Sequence, residues 1–231
     1  LTTTQIAGLS AAQVAALSTG QVAALTSVQL NAMASDDLKA LTTTQVRALT
    51  SDQLSKLSSD QVALMATDDI AAISSAQISH LSTGAIGALT TAQAKALTTA
   101  AINALTSAQI AAIETADLAA MSSTQLSNMG NTQVAQLTSL QVAALTTGQL
   151  KSLSSGQVAA LTSAQLNALT SAQLPSLSSS QVRALTTDQL SKLTTTQVAG
   201  LSTAQVAALS TGQVAALTSV QLNAMASDDL K

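Results

Sequence analysis

Paired carboxylates and a single histidine are the residues here that could bind a cation or move a proton. The pairs are Asp36-Asp37, Asp68-Asp69 and Asp228-Asp229, and His80 is the only histidine in 231 residues. Adjacent carboxylates hold a hard cation such as Ca²⁺ when a neighbouring turn adds oxygen ligands. No glycine pattern of a calcium loop accompanies these pairs, so they read as acids at helix starts, and the metal-ligand expectation is none. A catalytic His80 would need a nucleophile or carboxylate at a workable spacing. The chain has no Cys and no strained nucleophile turn, so His80 reads as a tolerated, partly exposed side chain. The expectation is a protein that is not an enzyme, with no catalytic residues and no cofactor.

The elements carrying these residues follow from an eight-residue unit, seen in Leu209-Ser210-Thr211-Gly212-Gln213-Val214-Ala215-Ala216. Residues 1–231 form one continuous array of twenty-eight full copies and a seven-residue last one. Position 1 is Leu, Ile or Met throughout, and position 6 is Val, Leu or Ile except at Ala94. Position 2 is Ser or Thr in twenty-four copies and position 5 is Gln in twenty-three, which sets a capping-box spacing in most octets. In that box the hydroxyl accepts from the N3 amide and the Gln side chain accepts from the N-cap amide. Positions 1 and 6 then fall at N′ and N4, the two ends of a hydrophobic staple.

Charge placement agrees. Asp52, Asp60, Asp117 and Asp188 join the three pairs at position 4 or 5, in the first helical turn, where the helix dipole favours anions. Lys39, Arg47, Lys56, Lys95, Lys151, Arg183, Lys192 and Lys231 stand at position 7 or 8, in the last turn, where cations are favoured. Asp52 with Lys56 and Asp188 with Lys192 are spaced for i,i+4 ion pairs.

One unbroken helix does not fit this pattern. Eight residues rotate about 80° beyond two full turns, so the Leu stripe would wind around the axis. The unit is therefore a helix of about six residues, roughly 9 Å long, closed by a corner. Such a helix is unstable alone because nucleation is costly, and stacked copies supply the missing burial. The expected fold is an all-α repeat solenoid or superhelix of short capped helices, one per octet. A β-solenoid is the weaker alternative, because apolar positions 1, 6 and 8 do not share one parity.

Several octets depart from the pattern. Ala34, Ala66 and Ala226 replace the position-2 hydroxyl, and Ser35, Thr67 and Ser227 are expected to take over the cap. Residues 81–104 lose Gln at Ala85 and Ala101 and place Gly87 within a helix, and Met129-Gly130-Asn131 lacks both hydroxyls. Pro175 at position 7 removes a helical N–H and biases Leu174 away from helix. Gly20, Gly84, Gly148 and Gly212 recur every 64 residues and are candidates for one face of the superhelix. Residues 1–39 and 193–231 differ only at Ile6/Val198 and Ala11/Thr203, which points to recent duplication.

Composition narrows the function classes. Eight basic residues and a net charge of −3 make a poor phosphate-binding surface, so no nucleic acid is expected. Ser, Thr and Gln interrupt every octet, so no apolar run reaches a membrane span. No signal peptide is visible, and the chain starts at position 1 and ends at position 7, reading as a segment of a longer array.

Leu41-Thr42-Thr43-Thr44-Gln45-Val46-Arg47-Ala48-Leu49 resembles the first helix of a TAL-effector repeat. The second helix, base-reading loop and basic stripe of that family have no counterpart here, so the resemblance implies a shared way of capping a helix. The chain as a whole resembles tandem Leu-Thr-Thr-x-Gln-Val-x-Ala arrays of very large bacterial surface or secreted proteins, labelled adhesion-like. That resemblance implies an extracellular or cell-surface setting.

Three readings follow. The first is a spacer, stalk or fibre region, with flanking domains of its parent protein as partners. The second is a self-assembling filament or sheath subunit, with other copies of itself as partners. The third is a hydroxyl-rich surface that contacts a polymer, glycan or ice.

Overall fold

A computed structural model describes residues 1–225, and among them every regular element is helical. Helices of four to six residues start every eight residues, from Thr3–Ala7 to Ser219–Ala224, interrupted once by the 3-10 turn Leu174–Ser176. This is the all-α repeat solenoid that the octet dictates.

Most helices start as the capping box requires. At Thr42 the backbone is extended, with φ −79° and ψ 156°, and the side chain accepts from Gln45 N. The Gln45 side chain accepts from Thr42 N at 2.7 Å. Each helix ends when the chain turns extended again at the next Leu, as at Leu145 with φ −61° and ψ 138°. Among the described residues none has a positive φ, so the corners are open to ordinary side chains.

Contacts gather the chain into two compact units, Leu1–Met121 and Ser122–Lys231. The octet pattern runs through the boundary without interruption. In the first unit, helix Thr43–Arg47 packs against Thr67–Ala72, which in turn packs against Thr91–Ala96. In the second, Ser123–Ser127 packs against Thr147–Ser152 and Asn131–Ala135 against Ser155–Ala160. The same rule operates inside each: a helix lies on the one three octets away.

That stacking makes the core. Position 6 supplies its centre, with Val46, Leu54, Val142 and Leu150 all fully buried, and position 1 its flank, with Leu49, Leu57, Leu145 and Leu153 nearly so. Full burial of one such side chain contributes roughly 1.5–3 kcal/mol. No single octet can gain that alone, because the covering atoms come from other octets.

The irregular octets correct several expectations. Ser35 and Thr67 do not cap; they are the first helical residues, and the N-caps are Ala34 and Ala66 without a side-chain bond. Stacking fixes the corner there, and the Asp37 and Asp69 amides donate instead to the Ala34 and Ala66 carbonyls. Ser227 lies outside the described residues. Asp188 and Lys192 pair at 2.9 Å, while Asp52 and Lys56 do not pair; Asp36 instead meets Lys39 at 3.5 Å. Pro175 turns its octet into 3-10 geometry, yet Leu174 stays fully buried. The regularly spaced glycines do not all share one environment. A side chain at Gly84 would press on Ser59 Oγ at 3.1 Å, whereas Gly20 and Gly212 face open space.

Candidate functional site

The carboxylates do not gather. Asp36 and Asp68 are exposed while Asp37 and Asp69 are buried, so each pair splits between solvent and core. Among the described residues no group of three potential metal ligands forms. His80 is exposed, and its backbone N–H donates to the Gln77 carbonyl. Asp228-Asp229 lies outside the described residues. No described helix is long and apolar enough to cross a membrane.

The recurring polar feature is the position-5 glutamine. Its Oε1 closes the local capping box, and its Nε2 points the other way, into the preceding turn of the superhelix. Gln45 Nε2 donates to the Val14 and Leu17 carbonyls, both at 2.8 Å. Gln53 does the same to Val22 at 2.8 Å and Leu25 at 2.7 Å. In the second unit Gln181 reaches Leu150 at 2.8 Å and Leu153 at 2.7 Å, and Gln197 reaches Leu166 at 2.8 Å and Leu169 at 3.1 Å. The acceptors lie 31 and 28 residues back, at position 6 of one octet and position 1 of the next. Each of these glutamines thus bridges a corner of the turn below.

The position-1 carbonyls need such a donor, whereas the position-6 carbonyls also accept from the N–H of the following leucine, as Val14 does from Leu17 at 3.1 Å. At the end of a short helix the last C=O groups lack intrahelical partners. Leaving a buried polar group unpaired costs about 1–3 kcal/mol. The glutamine amide satisfies them and is itself satisfied at both ends, so Gln45, Gln53 and Gln181 sit at 1–2% exposure. Among the described residues no buried side-chain nitrogen or oxygen lacks a partner.

Sequence reasoning assigns only the acceptor half of this side chain. A signal for the other half exists: position 5 is Gln in twenty-three copies and never Glu, although either would close a capping box. Only the amide can also donate.

Substitution at position 5 removes the donor. Asp69 is buried and cannot donate to Leu38 and Leu41, the carbonyls at the ladder spacing. Burial pushes its carboxyl pKa up, the Asp68 charge adds to this, and a hydrogen bond from the Ala66 backbone N–H opposes it. Asp117 finds another partner, accepting from Thr91 Oγ1 at 2.7 Å. Ala85 and Ala101 are fully buried and keep only half a box, with Ser82 Oγ and Thr98 Oγ1 accepting from their amides at 3.0 and 3.1 Å.

The arrangement holds turns together by polar bonds at fixed spacing. It binds the chain to itself, and the hydroxyls at position 2 are engaged by the same boxes. A family model described as the ALTTAQ repeat matches residues 1–27, 30–67, 62–99, 110–147, 146–179, 169–203 and 195–227. The matches run in tandem, and most take in four or more octets. No curated protein matches the chain.

Proposed function

The chain belongs to the ALTTAQ repeat family, and from that membership we propose that it serves as a spacer or stalk region of a bacterial cell-surface or secreted protein, without catalytic activity. One observation carries this reading. Ser/Thr at position 2 and Gln at position 5 are spent on the fold's own backbone, the first within its octet and the second from one turn to the turn below. In a solenoid, copies add extent and change nothing else, since each unit contacts only near neighbours. The likeness to octet arrays of large bacterial surface proteins supports the setting.

The test is a block deletion. A chain lacking residues 137–168, four octets of the second unit, is placed between two fluorescent domains and compared with the full chain. A spacer keeps its helical dichroism per residue and brings the two domains closer by energy transfer. Loss of the fold, or an unchanged separation, overturns the proposal. Immunolabelling of intact cells that make the parent protein tests the location, and label confined to permeabilised cells overturns that part.

A further inference from the structure

The glutamine ladder is not the same along the chain. In the second unit every octet from Gln157 to Gln221 sends its amide to a position-1 carbonyl of the turn below. In the first unit, residues 65–120 make seven octets, and only three of them carry the glutamine. Gln77 reaches Leu49 at 3.0 Å, Gln93 reaches Met65 at 2.8 Å and Gln109 reaches Leu81 at 2.7 Å. Asp69, Ala85, Ala101 and Asp117 take the alternate octets. The position-1 carbonyls at their ladder spacing, those of Leu41, Leu57, Ile73 and Leu89, have no glutamine to accept from.

The same octets are weak in other ways. Helix Ser75–Ile78 has four residues, the shortest α-helix among the described residues. Helix Thr83–Gly87 holds Gly84 and Gly87, and glycine is a poor helix former. Ala94 stands where position 6 otherwise carries Val, Leu or Ile.

The offsets are smaller. Asp117 accepts from Thr91 Oγ1 at 2.7 Å, which ties two turns at one point. Ile70, Ile78, Ile86, Ile102 and Ile110 fill buried position-6 sites. Each exceeds the second unit's Val142 or Val158 by one methylene and matches its Leu150 or Leu166 in size. A methylene contributes less than the two hydrogen bonds of a rung.

In a repeat array stability is close to a sum over units and their nearest neighbours, so a weak joint stays local. Local weakness then shows as opening of one part of a structure without the rest. We propose that residues 65–120 are a yielding section built into the first unit, where one turn parts from the next before residues 155–192 open. In a spacer this section is where extension starts under load. That use rests on the spacer reading; the opening rests on the fold alone.

The test is amide hydrogen exchange of the full 231-residue chain, read peptide by peptide by mass spectrometry. Amides of helices Thr67–Ala72 to Thr99–Ala104 are expected to exchange about tenfold faster than those of Ser155–Ala160 and Ser163–Asn167, the factor that the two hydrogen bonds of a rung make in an opening equilibrium. Two single variants assign the cause. Asp69→Gln closes one gap, and exchange in Thr67–Ala72 is expected to slow about tenfold. Gln181→Ala opens one, and exchange in Ser179–Arg183 is expected to quicken by about the same factor. Equal exchange in the two stretches of the original chain, or a variant whose helix exchanges as before, overturns the proposal. None of these results touches the spacer reading, which the block deletion decides.

Discussion

Replacing Gln181 with Glu separates the two halves of the glutamine. Gln181 is 2% exposed; its Oε1 accepts from Ser178 N at 2.7 Å, and its Nε2 donates to Leu150 and Leu153. Glu keeps the capping acceptor and loses the donor. Two hydrogen bonds disappear, each worth about 1 kcal/mol net. A carboxylate oxygen then faces two carbonyl oxygens in a buried site, which brings the expected loss to about 3–5 kcal/mol at pH 7. The control is Gln13→Glu, where the Nε2 has no partner and the side chain is exposed; its expected change is within about 0.5 kcal/mol. The carboxyl introduced by Gln181→Glu, disfavoured when charged, titrates above its unfolded value. The folded state therefore holds that proton more tightly, and stability falls as pH rises from the unfolded pKa through the folded one. Below both, the protonated acid donates to one carbonyl, and about 1–2 kcal/mol of loss remains. Urea unfolding followed by circular dichroism at pH 7 and at acid pH measures all of this. Equal effects at the two positions, or a Gln181→Glu loss that does not shrink in acid, would refute the ladder as a source of stability.

Asp69→Gln supplies the donor that this octet lacks, and a gain of about 1–2 kcal/mol at pH 7 is expected from urea unfolding. In the original chain the raised Asp69 pKa works against stability as pH rises: the contribution is full below the unfolded pKa and is lost through the folded one. Asp69→Asn removes that dependence, so unfolding curves of the two proteins should converge in acid and separate toward neutral pH. Thr186→Ala deletes a cap whose Oγ1 accepts from Gln189 N at 3.1 Å. It should cost about 1 kcal/mol with no loss of helical signal, since Ala34 and Ala66 already head helices. Ile110→Ala empties a fully buried position-6 site, and a loss of about 2–5 kcal/mol is expected.

Much of the fold is local and therefore legible in the residues. Ser/Thr-x-x-Gln places a helix start, and Leu at position 1 with Val at position 6 places its apolar contacts, all within one octet. Helix length, register and class follow because capping and staple bonds join residues only three to five apart. Pro175 and the glycine and alanine octets also fit, because neighbours that are stacked hold a weak unit in place.

The return of the chain on itself is a different matter. Whether the turn closes after three octets or five depends on small corner angles added over many residues, and no single octet encodes that sum. Only the tertiary structure shows that a helix meets the one three octets away, and that a glutamine reaches acceptors 28 and 31 residues back. It also decides that Asp69 is buried and Asp68 exposed, and that Ser35 and Thr67 start helices without capping them. The sequence alone determined what each octet is; the closure of the turn decided which side chains hold octets together, because a long-range hydrogen bond exists only where separate octets are brought within reach.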